Sequence, residues 1–180
     1  MTLVLRRIFK SKTTGSSVLN ELLTHMFIAE FMKPSTEFWI ISPWISDVNI
    51  IDNTSSNFDV LNPDWKGRYI KLSEIIIKIL SHGTNMFIIT RQDHHNETFL
   101  NLIGNKAIEE GLTERLITRK RELIHSKGIL SEHGCLSGSM NITIRGLQFN
   151  EENIDYITDP LVVNEALIYS KQYLVGENGN

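Results

Sequence analysis

Apolar positions along this chain change period several times, and each change marks an element. Residues 17–33 place Val18, Leu19, Leu22, Leu23, Met26, Phe27 and Phe31 at the spacing of one helix face, behind Thr14-Gly15-Ser16-Ser17, which offers an N-cap. Residues 37–41 (EFWII) are short and continuously apolar, the pattern of a buried strand, and Ser42-Pro43-Trp44 ends it. A stretch rich in Asn, Asp and Ser over 49–68 has no usable period and reads as a long functional loop. A helix over 72–80 then stops at His82-Gly83, and a second buried strand covers 85–90, with 91–96 as its terminal loop. Another helix is predicted over 98–111, and a last strand over 148–157 follows a turn at Arg145-Gly146. Asp159-Pro160 opens a final helix reaching Tyr173, with proline in its first turn, and 175–180 reads as a frayed tail. Strand, helix, strand, helix in that order predicts parallel crossovers and an α/β fold.

Composition narrows the class. With 180 residues, 41% of them hydrophobic, and no repeat or linker, the chain reads as one domain over 1–180, with 1–15 and 176–180 peripheral. One cysteine, Cys135, excludes an internal disulfide framework and fits a reducing, cytoplasmic setting. The opening nine residues carry Arg6 and Arg7 within their apolar stretch, so they do not read as a signal peptide, and no later stretch is apolar for long enough to span a membrane. A formal charge of −3 argues against a surface coated in positive potential. Arg115, Arg119, Lys120 and Arg121 nevertheless form a local basic run, joined by Arg145 further on, that could steer a polyanion.

The candidate chemistry lies over 124–143. On an extended segment, alternation puts His125 and Lys127 on one face. Gly134 and Gly138 allow a tight return, after which Ser139 and Asn141, also two apart, can face the same spot. One imidazole, one fixed cation and two neutral hydrogen-bonding side chains suit a phosphate ester. Ser42, Trp44 and Asp47, in the loop that ends a strand, are candidates for the wall of such a site.

These residues resemble the signature of the phospholipase D superfamily: His-x-Lys, an acidic residue shortly after, then Gly-Ser-x-Asn. Here the pair is His125 and Lys127, and the last element is Gly138-Ser139-Met140-Asn141. Glu132 stands where the family usually has Asp, and the gap from it to Gly138 is one residue shorter than is common. Asn150-Glu151-Glu152-Asn153 resembles the Asn-x-Glu-Asn stretch of the small single-motif nucleases, which makes Glu152, with Glu151 as fallback, the carboxylate expected to hold His125. The resemblance implies a three-layer αβα sandwich with a mixed, largely parallel central sheet. It also implies a phosphodiesterase that works without metal or other cofactor, through a phosphohistidine on His125, with Lys127, Ser139 and Asn141 around the phosphoryl group.

That mechanism needs a second histidine as general acid, and the chain has one motif, so the resemblance further implies a homodimer with the site at its two-fold interface. DNA is the expected substrate and partner, with RNA open. A bacterial phage-defence or DNA-modification setting is expected, with targeting from a larger or helicase partner. The alternatives are a binding subunit that does not cut and a phospholipid phosphodiesterase. A metal reading would use His125, His133 and Cys135, but no ligand-like spacing supports it. His94-His95 reads as a pair of solvated loop histidines.

Overall fold

The structure is a computed structural model and describes residues 5–175; most of the tail expected over 175–180 falls outside them. Leu5–Lys10 (β1), Glu37–Ile41 (β2), Asn85–Arg91 (β5), Leu116–Arg121 (β6), Gly128–Ser131 (β7), Gly134–Gly138 (β8) and Glu152–Ile157 (β9) build a seven-stranded sheet in the order β1-β9-β8-β7-β2-β5-β6. Asn49–Asp52 (β3) and Tyr69–Lys71 (β4) pair separately as a two-stranded ribbon. The helices are Ser16–Met32 (α1), Leu72–Ser81 (α2), His94–Glu109 (α3) and Pro160–Ser170 (α4). The fold is α/β, a mixed sheet with helices on both faces.

The parallel pairs are β2·β5 and β5·β6, joined through α2 and α3 as the strand-helix alternation predicts; β7, β8, β9 and β1 pair antiparallel. Alternation along the strands divides the core in two. Phe38, Ile40, Ile88, Ile129 and Leu136 face the cluster that includes Leu22 and Phe27 of α1, Ile75 and Ile79 of α2 and Phe99 and Ile103 of α3. Trp39, Ile41, Ile89, Leu130 and Cys135 face the other way, onto Val163 and Leu167 of α4. Trp39 stacks on Phe87 at 4.2 Å between ring centroids, and Phe27 on Phe38 at 5.6 Å. Of these rings Phe87 is half-buried and the others buried, and burial is worth about 1.5–3 kcal/mol for each large side chain fully removed from water.

The structure departs from the sequence pattern in several places. The amino-terminal stretch, read as peripheral, becomes an edge strand whose Arg7 pairs with its register partner Asp155 through two hydrogen bonds of 2.7 and 3.0 Å. Residues 49–68 are not all loop, since Ile51 and Ile70 bury one side of the β3·β4 ribbon. Buried Asn53 organises the rest of that excursion by donating to Asp59 and to the Trp65 carbonyl and accepting from Phe58 N–H. Helix α1 is capped by Gly15 at φ 82° with no side-chain cap, not by a serine or threonine hydroxyl. Helix α3 begins a turn earlier than its apolar spacing indicates, because Asp93 accepts from His95 N–H and caps it. Residues 145–149 form a π-helical turn, so β9 is shorter than expected.

Candidate functional site

Sheet register gathers the motif residues at one end. Gly128, the first residue of β7, lies opposite Ile41 at the end of β2 and opposite Ser137 near the end of β8. Gly138 lies opposite Ile154, two residues into β9. The segments running off that edge carry His125 and Lys127 before β7, Ser42 and Trp44 after β2, Ser139 and Asn141 after β8, and Glu152 at the start of β9. His125 and Lys127 therefore precede their strand instead of lying in it. His125 is exposed, and the Lys127 ammonium turns back to donate to the His125 carbonyl at 2.5 Å.

Glu152 is buried and does not hold His125. Its Oε2 accepts a short hydrogen bond from Ser139 Oγ and its Oε1 accepts from Asn150 Nδ2 at 3.3 Å. Ser139 Oγ also accepts from Asn153 N–H at 3.0 Å, so its one proton is committed to Glu152 and its remaining capacity is as an acceptor. Ser139 and Glu152 thus lock the end of β8 to the start of β9. Burial of Lys10 adds a cation to this lock: its ammonium, 3% exposed as a residue, donates to the Asn150 carbonyl at 2.6 Å. Burial pushes the Lys10 pKa down, and the Glu152 charge opposes that shift. Lys10 escaped sequence reasoning because it sits far along the chain, at a register partner of Glu152 on the edge strand. Exposed Glu151 lines a cavity of about 630 Å³ beside Lys10, Ser139 and Glu152.

Glu132 lies away from this site, a correction to its expected supporting role. It sits in the turn between β7 and β8, at the far end of strands of about 3.3 Å rise per residue, roughly 13 Å beyond Gly128. There its Oε1 accepts from Thr36 N–H at 2.9 Å, tying the hairpin to the entry of β2, and that bond holds its carboxyl below the usual range. The metal grouping fails for the same topological reason. His133 is in that far turn, bonded to the Lys33 carbonyl at 2.5 Å, and Cys135 is buried against the α4 layer, where burial pushes its thiol pKa up. Among the described residues no three His, Cys, Asp or Glu side chains gather to hold a metal ion.

The wall residues divide in function. Ser42 is fully buried; its hydroxyl donates to the Trp44 carbonyl at 2.7 Å and accepts from Ile142 N–H at 3.0 Å, stitching the loop after β2 to the segment after β8. Ser46 N–H to the Ile142 carbonyl, 2.9 Å, completes the seam. Asp47 caps α2 through Ser73 instead of facing the site. Trp44 lines a cavity of about 560 Å³ together with Asn141 and Arg145. His95 joins that wall, bonded to Ser46 at 2.9 Å; it is exposed, as its doublet suggests, but stands on the first turn of α3 and not in a loop. The signal that could have located it is Asp93, an N-cap placing His95 on the first helical turn beside the strand ends. Of the basic run, Lys120 is paired with Glu97 at 2.5 Å, Arg115 bonds the Gly83 carbonyl, Arg119 the Thr118 carbonyl, and Arg121 the Gln172 carbonyl. Only Arg145 reaches the cavity among those five expected nucleic-acid contacts.

Comparison with known proteins bears on this arrangement. Residues 28–172 match the family described as cardiolipin synthase, PLD-like domain, a span that includes every motif residue above. The chain belongs to the phospholipase D-like family. Phosphodiesterase-type chemistry is the class that membership in it supports. None of the curated proteins matches the chain by sequence. Among solved structures, this PLD-like chain is similar to the phospholipase D family member Nuc from Salmonella typhimurium, at TM-score 0.60 and 12% identity, covering 96% of this chain and 95% of that one. It is similar to NucT from Helicobacter pylori at TM-score 0.60 and 11% identity, covering 96% of both chains. Phosphatidylserine synthase from Haemophilus influenzae Rd KW20 matches at TM-score 0.60 and 17% identity, over 95% of this chain and 38% of that one. Among the described residues no helix is long and apolar enough to cross a membrane.

Proposed function

We propose that this PLD-like protein is a metal-independent phosphodiesterase acting on nucleic acid, with DNA the first substrate to test, and that it works as a homodimer. The observation that carries the reading is the collection of His125, Lys127, Asn141 and the Ser139–Glu152 lock at one end of the sheet. A neutral His125 ring nitrogen attacks phosphorus as the ester P–O bond breaks, and a protonated His125 from a second copy gives its proton to the leaving oxygen. Water then attacks the phosphohistidine, returns a proton to that second histidine and releases a phosphate monoester. Lys127 supplies fixed positive charge for the phosphoryl oxygens, and the Lys10–Glu152–Ser139 lock holds the edges of the site rigid. A second copy fits the same end, which carries exposed Phe9, Leu123, Ile144 and Phe149, a rim of apolar side chains that solvent does not favour.

The test is incubation with labelled single-stranded DNA, duplex DNA and RNA in excess EDTA, beside His125→Ala. Cleavage should survive the chelator and fall on the order of 10³-fold or more in the variant. Cleavage abolished by EDTA would overturn the metal-free mechanism. Hydrolysis of phospholipid vesicles with no cleavage of nucleic acid would replace the substrate class by lipid. Recruitment by a targeting partner, as in a phage-defence system, would be read from proteins co-purifying with the tagged chain in its host.

A further inference from the structure

Resting on the nucleic-acid reading, we infer that the cavity between Trp44 and Arg145 is a subsite for one unpaired nucleobase adjoining the phosphodiester being cut. Its wall is assembled from three separate segments that meet at the catalytic end of the sheet. Trp44 and Ser46 come from the loop after β2, His95 from the first turn of α3, and Asn141 to Asn150 from the segment between β8 and β9. The cavity shares Asn141 with the phosphoryl site, and Asn150, on its rim, bonds Glu152. A ligand held here is therefore a direct neighbour of the scissile group.

The lining is that of an aromatic slot with polar edges. Trp44 is 36% exposed, whereas Trp39 and Trp65, the other two tryptophans, are 0% and 1% exposed. An exposed indole on a surface loop is normally free to swing, but this one is anchored. Arg91 packs over its ring at 5.3 Å, buried Asn96 accepts from Ile45 N–H and donates to the Pro43 carbonyl, and Ser42 holds the Trp44 carbonyl. Preorganising a large flat ring in this way removes the entropy cost of stacking a partner on it. Around it, the Ser46 hydroxyl and the His95 imidazole offer donors and acceptors, and Arg145 a cation. Asn141 Oδ1 is buried and has no hydrogen-bond partner among the described residues, an acceptor for which a ligand donor such as a base amino group would be the natural partner.

Size and chemistry select among ligands. A volume of about 560 Å³ lies within the range of roughly 300–1,000 Å³ typical of small-molecule sites and accommodates a single base with its sugar. A paired base within a duplex has both faces covered by its neighbours, so a stacking slot selects single-stranded or flipped-out nucleotides. An acyl chain would leave the polar edges and the buried Asn141 oxygen unpaired.

Trp44 is the one exposed fluorophore of the three tryptophans, which makes the proposal directly readable. With His125→Ala as the non-cleaving parent, a short single-stranded oligonucleotide should quench the exposed tryptophan emission as it binds. The same oligonucleotide carrying an abasic analogue at the nucleotide adjoining the scissile phosphate should bind on the order of 10-fold more weakly and quench less. Trp44→Ala should remove the preference for the intact strand, Trp44→Phe should keep most of it, and His95→Ala should reduce it with the fold unchanged by circular dichroism. Equal binding of intact and abasic strands by the parent, or a preference that persists in Trp44→Ala, would overturn the subsite while leaving the nuclease reading standing. Anionic phospholipid vesicles shifting the Trp44 emission where oligonucleotides do not would overturn both. Failure of every nucleic acid to bind or be cut would likewise remove the reading on which the subsite rests.

Discussion

Glu132 shows how residue chemistry and residue position can part. Its carboxylate accepts from Thr36 N–H, and its pKa is held down mainly by that bond, with His133 and Lys33 adding smaller attractions. A carboxyl depressed in the folded state below its ordinary value of 4.5 contributes stability that is present above that value and is lost as pH falls through the folded one. Glu132→Gln should therefore flatten the acid limb of Tm against pH below about 4.5 and cost about 1 kcal/mol or less at neutral pH, since the group is exposed and screened. Catalysis at the opposite end of the strands should be unaffected, which thermal melts and turnover measured on one preparation would check. A fall in turnover with unchanged melting would place Glu132 in the chemistry after all.

At the level of elements, the site depends on backbones that approach more closely than any side chain permits. A Cβ on Gly146 would lie 2.1 Å from the Asn141 carbonyl oxygen, and one on Gly138, at φ 152°, would lie 2.1 Å from the Asn153 carbonyl oxygen. Both contacts are with backbone, so the segment must shift. Gly146→Ala should displace Asn141 from the cavity and lower turnover by about 10²-fold, the scale on which small misplacements act. Gly104→Ala, at a half-buried helical position with nothing within 4 Å of the added Cβ, is the matched control and should leave turnover unchanged. Comparable losses in both variants would show that flexibility, and not the position of Asn141, governs the effect.

At the scale of the whole molecule, one chain supplies one His125, and the proposed chemistry uses two. The protein should elute at twice the 20.6 kDa of a single chain. A charge introduced into the apolar rim, as in Phe149→Glu, should shift it to the monomer. Mixing the active chain with an equal amount of His125→Ala, followed by unfolding and refolding together, should give roughly a quarter of the activity of the same total amount of active chain, because only dimers with two intact histidines complete the reaction. Residual activity of one half would mean that each chain works alone.

Much of the fold was legible in the chain because the signals are local. Helical and strand periods located α1, α2, β2, β5 and α4 to within a few residues, and the motif spacing singled out His125, Lys127, Ser139 and Asn141, which lie on segments leaving one end of the sheet. Residues two apart on an extended backbone share a face whatever surrounds them. Only the tertiary structure decided which ends of which strands meet. It joined buried Lys10 and Glu152 through Asn150 into one lock, sent Glu132 and His133 to the far turn, and turned His95 from a loop histidine into a cavity wall. Those relations rest on strand register, on the Asp93 cap of α3 and on the Ser42 and Asn96 hydrogen bonds that stitch three loops together. The Asn96, Ser42 and Lys10 bonds among them join residues 51, 100 and 140 apart, distances over which hydrophobic period carries no information.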